Sequence, residues 1–176
     1  MTNYELLLME WIRQHLQSEF VQTVLVFFTR IGDFGIVWIA LTVLLILFQR
    51  TRRLGVTLCI ALALMLIINN GLLKNMIERA RPCQIQEQVK LLIECPKSFS
   101  FPSGHASSSF AVFGVFLFTP NIKSYWKWLV FILASVIAFS RIYLFVHFPS
   151  DILVGSMVGM LLAWITIHWI MPKVKV

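Results

Sequence analysis

Six apolar segments, separated by short polar stretches, dominate this chain of 176 residues. They cover residues 20–28, 34–48, 55–73, 103–118, 128–145 and 152–170. The third, fifth and sixth are long enough to cross about 30 Å of hydrocarbon as helices. The second and fourth need flanking residues to do so, and the first crosses only if it extends back toward the N-terminus. The pattern predicts an all-α integral membrane bundle of six helices, at least five of them spanning.

The stretches outside these segments predict two further features of one membrane domain over residues 1–176. The pattern of residues 1–18 predicts an amphipathic helix, which either lies at the membrane interface or forms the solvent-exposed end of a tilted first helix. The apolar side of that helix carries Leu7, Leu8, Trp11, Ile12 and Leu16. Residues 79–101 form the one long stretch that is not apolar, and we expect an extracytoplasmic loop there.

Composition and charge support a membrane location and predict an orientation. Hydrophobic residues make up 59% of the chain, against about 45–50% in soluble domains. The net charge of +7 does not indicate nucleic-acid binding, because the basic residues are scattered between apolar segments. Loop cations concentrate on the cytoplasmic side of membrane proteins. This rule predicts a plasma or inner membrane protein with a cytoplasmic C-terminus, from the positions of Arg50, Arg52, Arg53, Lys123, Lys127, Lys173 and Lys175.

Three short motifs fall at the opposite, outer ends of the predicted helices. They are Lys74 with Arg81-Pro82, Pro102-Ser103-Gly104-His105, and Arg141 with His147 and Asp151. Charged side chains are costly in a bilayer, at about 2.5–3.5 kcal/mol near its centre. Their convergence on one face therefore indicates a binding site, and cations beside a helix N-terminus favour a phosphate group.

The second motif predicts an anion site at a helix start. Ser103 suits an N-cap, Gly104 lets a ligand approach the backbone, and His105 lies in the first turn. The alternative is an ordinary helix cap with an incidental histidine. In the third motif, His147 precedes Asp151 by four residues, so an imidazole N–H can reach the carboxylate and leave the other nitrogen as nucleophile or base. A purely structural hydrogen bond is the alternative.

The cations of the motifs are candidate phosphate ligands. Arginine offers a planar fork and lysine a mobile point charge, which suits Lys74, Arg81 and Arg141 to phosphoryl oxygens. Arg79, Lys90 and Lys97 are interpreted instead as interfacial cations that snorkel. Asn70 lies one turn before Lys74, and either orients it or makes an interhelical hydrogen bond.

The complete pattern, Lys74-x6-Arg81-Pro82, Pro102-Ser103-Gly104-His105 and Ser140-Arg141-x5-His147-x3-Asp151, resembles the three-part signature of the type 2 phosphatidic acid phosphatase family. The resemblance implies an acid phosphatase/vanadium haloperoxidase-like helical core, a site on the outer face, and no metal or other cofactor. It implies that His147 attacks phosphorus, that Asp151 orients it, and that His105 protonates the leaving oxygen and then activates water. The phosphoryl oxygens would be held by Lys74, Arg81, Ser103, Gly104 and Arg141.

The expected partners are a lipid phosphate substrate and the bilayer, and no nucleic acid. Size and overall likeness favour undecaprenyl diphosphate over phosphatidylglycerophosphate or a lipid A 1-phosphate. A protein that only binds lipid headgroups is the non-enzymatic alternative.

Gly155 and Gly159 predict close helix packing, either within the chain or in a dimer, so the oligomeric state stays open. Cys83 and Cys95 predict a disulfide in an oxidising compartment, or two free thiols in a cytosolic loop.

Overall fold

The computed structural model describes residues 2–86 and 88–174, and this part of the chain is helical, with no strand. Lys175, used above for the orientation, lies outside the described residues. The helices are α1 Thr2–His15, α2 Glu19–Gly32, α3 Ile36–Leu47, α4 Arg52–Met65, α5 Lys74–Ile77, α6 Pro82–Ile85, α7 Gly104–Phe118, α8 Ser124–Tyr143 and α9 Pro149–Ile165. A 3-10 turn, Asp33–Gly35, joins α2 to α3, and a π-helical stretch, Leu66–Leu73, joins α4 to α5. After α9 the helix continues to Lys173.

Four stretches of one or more consecutive helices are long and apolar enough to cross a membrane. They are Glu19–Leu47, Arg52–Ile85, Ser124–Tyr143 and Pro149–Lys173. A fifth, α7, is apolar but has only 15 residues, or about 22 Å at 1.5 Å per residue. It nevertheless runs between the two ends of the bundle, because Gly104 and Thr119 line cavities at opposite ends. The prediction of an all-α membrane bundle with at least five crossing helices is confirmed.

The short helix α7 lies at the centre of the bundle. It packs against α4, α8 and α9, and most of its residues are buried. The two glycines of α9 face it directly: a Cβ at Gly155 would lie 2.7 Å from the Ser103 carbonyl oxygen, and one at Gly159 would lie 2.7 Å from the Ala111 nitrogen. The close packing predicted for these glycines therefore occurs within the chain. The alternative, a dimer through the same surface, is wrong because α7 already covers it.

The predicted segments 20–28 and 34–48 are two separate helices, α2 and α3, that form two halves of one crossing. Phe34 and Gly35 have φ values of 53° and 69°, in the left-handed region that a right-handed helix cannot continue through. Leu25 clusters with Tyr143, at the end of α8, so α2 begins at that end of the bundle. Gly55, near the start of α4, lies against Ile46, so α3 ends at the other.

The N-terminal helix α1 is separate from the first crossing, because Ser18 caps α2 by accepting the Val21 N–H. One face of α1 buries Leu6 and Met9 in a cluster with Phe145 and Phe148. Its other face exposes a set of large apolar side chains: Tyr4, Leu7, Leu8 and Trp11. Of the two predicted alternatives for residues 1–18, the structure has the independent amphipathic helix.

The segment 79–101 folds back over the same end of the bundle. It contains α6 and is closed by a disulfide between Cys83 and Cys95. Leu91, Leu92 and Ile93 pack on the cluster around Tyr143 and Val146. We call this end of the molecule, formed by α1, residues 74–86, residues 88–104 and residues 141–151, the site end.

Candidate active site

A cavity of about 610 Å³ lies at the site end, and residues of all three motifs line it. The motif residues in its wall are Lys74, Arg81, Gly104, His105, Arg141 and His147. Ser103 and Asp151 are fully buried behind the wall. The Ser103 hydroxyl accepts the Ala106 N–H as the N-cap of α7, and the Ser103 N–H donates to the Asp151 carbonyl at 3.1 Å. The structure thus brings the predicted residues together, with two of them in supporting positions.

The protonation of His147 follows from its neighbours. Its Nε2 lies 3.0 Å from Nη1 of Arg81, and because a guanidinium can only donate, Nε2 must accept. The proton therefore sits on Nδ1, on the side of Asp151. Burial, together with the charges of Arg81, Arg141 and Lys74, holds the pKa of His147 well below its ordinary value. A neutral imidazole with its Nε2 lone pair at the cavity is the form that can act as a nucleophile.

The contact between His147 and Asp151 is less direct than the i, i+4 spacing predicts. Nδ1 lies 3.6 Å from the carboxylate Oδ2, which is too long for a good hydrogen bond. Ser100 stands between them, with its hydroxyl 3.5 Å from Nδ1 and donating to Oδ2 at 2.5 Å. The Phe148 N–H also donates to Oδ2, at 2.9 Å. Ser100 was not anticipated, since it precedes the second motif in a stretch without periodicity.

Arg81 holds the loop as well as facing the cavity. Its guanidinium donates to the carbonyls of Ser98 and Val146, both at 2.7 Å, and to that of Phe99 at 3.1 Å. These bonds tie residues 98–99 to the chain just before His147. Arg81 therefore fixes the loop and at the same time presents positive charge beside the imidazole.

Arg141 is a second buried cation of the cavity, with only 3% of its side chain exposed. Its Nη1 donates to the Thr29 hydroxyl at 2.5 Å. Its buried Nε has no hydrogen-bond partner among the described residues. An unpaired buried donor costs about 1–3 kcal/mol, so the described residues leave part of the hydrogen-bonding capacity of Arg141 unused.

His105 has a carboxylate partner that the sequence analysis missed. Its Nε2 lies 3.0 Å from Oδ1 of Asp33 and 3.3 Å from the Thr29 carbonyl. Both neighbours are acceptors, so Nε2 carries a proton. Asp33 occupies the break between α2 and α3, and it also lies 3.8 Å from Arg141. The sequence offers one indication of the role of Asp33: it is the single carboxylate between the first two apolar segments.

The interpretation of Arg79 as a snorkelling cation is wrong. Its guanidinium donates to Asp151 Oδ1 at 2.6 Å and to Glu5 Oε2 at 2.7 Å. It also lies 3.9 Å above the ring of Phe148. A cation near a helix end looks interfacial in a sequence, whereas here its partners come from α1 and α9, which are distant in the chain.

The π-helical stretch turns two consecutive amides toward α7. Asn69 donates to Asn70 Oδ1 at 3.0 Å and accepts from the Ser107 hydroxyl at 2.6 Å. Asn70 lies beside Gly104, where a Cβ would come within 3.2 Å of its oxygen. Asn69 therefore makes the interhelical hydrogen bond, whereas the hydrogen bond of Asn70 is to its neighbour Asn69. Neither role predicted for Asn70 is tested by these contacts. Among the residues that the structure describes, no group of three or more His, Cys, Asp or Glu side chains could hold a metal ion.

Sequence comparison identifies a family and several relatives of this chain. The sequence model of the PAP2 superfamily matches residues 53–175. An undecaprenyl-diphosphatase of Sulfolobus acidocaldarius is 31% identical over 134 residues, which cover 75% of this chain and 63% of the relative. Phosphatidylglycerophosphatase B of Bacillus subtilis is 40% identical over 102 residues, covering 53% of this chain and 47% of the relative. The chain thus matches about half to two thirds of the length of these relatives.

Two solved structures share the fold over nearly the whole chain. LpxE of Aquifex aeolicus superposes with a TM-score of 0.77 and 27% identity, covering 90% of this chain and 92% of that one. A transmembrane PAP2-type phosphatidylglycerolphosphate phosphatase of Bacillus subtilis gives a TM-score of 0.76 and 25% identity, with 99% and 87% covered. Together with the family match over residues 53–175, this likeness establishes that the chain belongs to the PAP2 superfamily of membrane proteins.

Proposed function

We propose that this chain is a metal-independent phosphatase that removes phosphate from a membrane lipid through a phosphohistidine intermediate. The observation that carries the proposal is the single cavity in which His105, His147 and three cations meet. Each motif alone has a structural explanation, but their convergence in one buried cavity is costly without an anionic ligand. The names of the relatives support the same chemistry.

In the first proposed step, Nε2 of His147 attacks phosphorus in line with the leaving oxygen. A P–N bond forms as the P–O bond breaks, and His105 gives a proton to that oxygen. For the phosphoryl group to enter, the contact between Nε2 and Arg81 must give way. The guanidinium then meets a phosphoryl oxygen in place of the imidazole nitrogen.

In the second step, His105 takes a proton from water, and the water oxygen attacks phosphorus. The P–N bond breaks, inorganic phosphate leaves, and neutral His147 is restored. Proton transfer of this kind typically contributes about 10²–10⁴-fold to the rate. Lys74, Arg81 and Arg141 stabilise the charge that the equatorial oxygens carry in the transition state, with the amide of Gly104 as a further donor.

The wall of the cavity supports a lipid as the substrate. Ile39, Leu62 and Leu66 also line the cavity. Ile39 and Leu66 expose 52% and 59% of their surface on the apolar outside of the bundle. A phosphate bound among the cations would therefore have a path along which a hydrocarbon tail reaches the bilayer.

Undecaprenyl diphosphate is the substrate that we favour. A relative that matches 75% of this chain in sequence is named undecaprenyl-diphosphatase. Lys74 also lines an adjoining cavity of about 340 Å³ together with Asn75 and Lys97, which supplies cations for a second phosphate. Phosphatidylglycerophosphate, which also carries two phosphates, is the alternative favoured by the Bacillus relative. A lipid A phosphate remains the third candidate.

We further propose that the site end faces outward from the plasma or inner membrane. The disulfide Cys83–Cys95 lies at this end, and disulfides persist in oxidising compartments. The opposite end carries the loop cations that favour the cytoplasm, Arg50, Arg52, Arg53, Lys123 and Lys127.

The test measures phosphate release from the three lipids in detergent micelles with EDTA present. We expect turnover by the wild-type protein, with the highest kcat/KM for undecaprenyl diphosphate, and an acid-labile ³²P label on the protein after rapid quenching. His147→Ala should abolish both the turnover and the label. The matched control is His168→Ala, because His168 stacks on Trp164 outside the cavity.

Three results would contradict the proposal. They are a requirement for added metal, activity that survives His147→Ala, and binding of the lipids without turnover. The last would favour a protein that only binds headgroups. A higher kcat/KM for phosphatidylglycerophosphate would replace the favoured substrate and leave the chemistry intact.

A further inference from the structure

We propose that Arg79 and Glu5 form a positioning pair that holds the carboxylate of Asp151 in place for His147, which makes the N-terminal helix α1 part of the catalytic apparatus. The inference rests on the proposed function, because it assigns a role relative to the nucleophile. Arg79 falls at one of the six unspecified positions between Lys74 and Arg81 in the motif pattern, and Glu5 lies outside the pattern. Neither residue lines the cavity.

The first observation is the ion pair between Arg79 and Asp151. The side chain of Asp151 is fully buried, and Nη1 of Arg79 lies 2.6 Å from its Oδ1. A buried carboxylate needs a close cation, and removing one partner of such a pair is strongly destabilising. With Oδ1 engaged by Arg79, the other oxygen faces Ser100 and His147.

The backbone of Arg79 also helps to position the carboxylate of Asp151, through Ser100. The Arg79 carbonyl accepts the Ser100 N–H at 2.8 Å. Ser100 in turn donates its hydroxyl to Oδ2 of Asp151. One residue thus positions Oδ1 through its guanidinium and Oδ2 through Ser100. Displacement of Arg79 would disturb both oxygens together.

The second observation is that Glu5 of α1 fixes Arg79 and the start of α9 at once. Oε2 of Glu5 accepts from Arg79 at 2.7 Å, and Oε1 accepts the N–H of Ser150 at 2.9 Å. Burial alone would raise the pKa of Glu5, but the hydrogen bonds from Ser150 and Arg79 outweigh it and lower the pKa below its ordinary value. The carboxylate is therefore ionised, as a bridge between a guanidinium and a helix N-terminus requires.

The third observation is the apolar packing beneath the contacts between Glu5, Arg79 and Asp151. Leu6 and Met9 of α1 pack with Phe145 and Phe148, and the Phe148 ring lies under the Arg79 guanidinium. The segment that carries Asp151 is therefore held on two sides, by the bundle and by α1. This arrangement distinguishes α1 from a helix that only rests on the membrane surface.

The experiment compares Arg79→Gln, Glu5→Gln and the double variant with the wild type, using the full chain in detergent. In metalloenzymes, removing a residue that orients a metal ligand costs about 10–100-fold in activity. Arg79 orients Asp151 in a comparable way, and we expect a loss of kcat in that range for Arg79→Gln. Glu5→Gln should give a smaller loss, and the double variant should match Arg79→Gln alone, because Glu5 acts through Arg79. KM should stay within about twofold of wild type, since neither residue contacts the substrate, and phosphohistidine formation should slow as much as kcat.

Two variants serve as matched controls. Glu10→Gln changes a carboxylate on the same helix that bonds to Gln86 and not to Arg79. Lys90→Gln removes a cation from the same loop. Both should keep wild-type kcat. If Arg79→Gln does not fold, Arg79→Lys keeps the charge but cannot span Glu5 and Asp151 with one planar fork, and it should lose kcat while its Tm stays near wild type.

The inference is overturned by wild-type kcat in folded Arg79 variants, by additive losses in the double variant, or by losses confined to KM. It is equally overturned if the loss of activity only follows the loss of Tm. These results are distinct from failure of the proposed function, in which the wild-type protein itself would release no phosphate and form no phosphohistidine.

Discussion

At the scale of single residues, each histidine of the cavity has its own carboxylate, in different surroundings. Asp151 beside His147 is fully buried, whereas the side chain of Asp33 beside His105 is 44% exposed. A buried carboxylate held by several donors is fixed in place. A half-exposed one beside a proton-transferring histidine can stabilise the charged imidazole each time a proton arrives.

We predict that Asp33→Asn lowers kcat by about 10–100-fold with little change in KM. The amide preserves the shape of the side chain but not the charge that stabilises protonated His105. Steady-state kinetics on the lipid substrate measure the effect, with Glu94→Gln in the exposed part of the loop as the control. Wild-type kcat in Asp33→Asn would mean that the contact at 3.0 Å only positions the helix break.

Sequence patterns predicted the residues of the three motifs, including Asp151 beside His147, but not the partners that come from outside the motifs. His105, His147 and the cations stand in recognisable motifs, whereas Asp33, Ser100 and Glu5 reach the site only through the way the chain folds. In the sequence, Asp33 resembles an ordinary polar residue at a helix end, and Glu5 resembles a residue on the polar face of an amphipathic helix. Their contacts join residues separated by more than 45 positions in the chain.

At the scale of helices, the close approach of α7 and α9 positions the second and third motifs against each other. Gly155 lies against the Ser103 carbonyl, so the cap of α7 touches α9 directly. The Ser103 N–H then donates to the Asp151 carbonyl in the first turn of α9. Small residues at this crossing bring the two helix N-termini side by side.

We predict that Gly159→Ala destabilises the fold by about 1–3 kcal/mol. The new Cβ would lie 2.7 Å from the Ala111 nitrogen, so the two backbones must move apart. Thermal unfolding in detergent should show a lower Tm. Gly71→Ala is the control, because the nearest atom to its Cβ would be 3.9 Å away. An equal Tm for both variants would contradict the close packing.

The apolar segments predicted where helices form, because hydropathy follows burial in lipid and protein. They did not predict the 3-10 break at Asp33–Gly35 or the π-helical stretch Leu66–Leu73. These are changes of backbone geometry without a change of hydropathy. The π-helical stretch allows Asn69 and Asn70 to face α7 together, which a 3.6-residue period does not favour.

At the scale of the whole molecule, five crossings place α1 and the cavity at one end and the chain beyond α9 at the other. The single kinked segment Glu19–Leu47 decides this arrangement. Two crossings in its place would have moved α1 to the opposite end, away from Arg79. The number of crossings and the position of Glu5 are therefore consistent with each other.

We predict that α1 and the start of α8 lie on opposite sides of the membrane. In a Cys59→Ser background, Gln14→Cys should react with an impermeant maleimide in intact cells. Ser124→Cys should react only after permeabilisation. Both positions are exposed at the two ends of the bundle. Labelling in the reverse order would mean that the site end faces the cytoplasm.

The central position of α7 also affects how the protein responds to bilayer thickness. A helix of this length in contact with lipid would be mismatched with an ordinary membrane and would thin it locally. Because α7 packs against α4, α8 and α9 and most of its residues are buried, it has little contact with lipid. The depth of His105 in the membrane is thus set by its neighbours, so membranes of different composition can host the same reaction without stretching the helix that carries it.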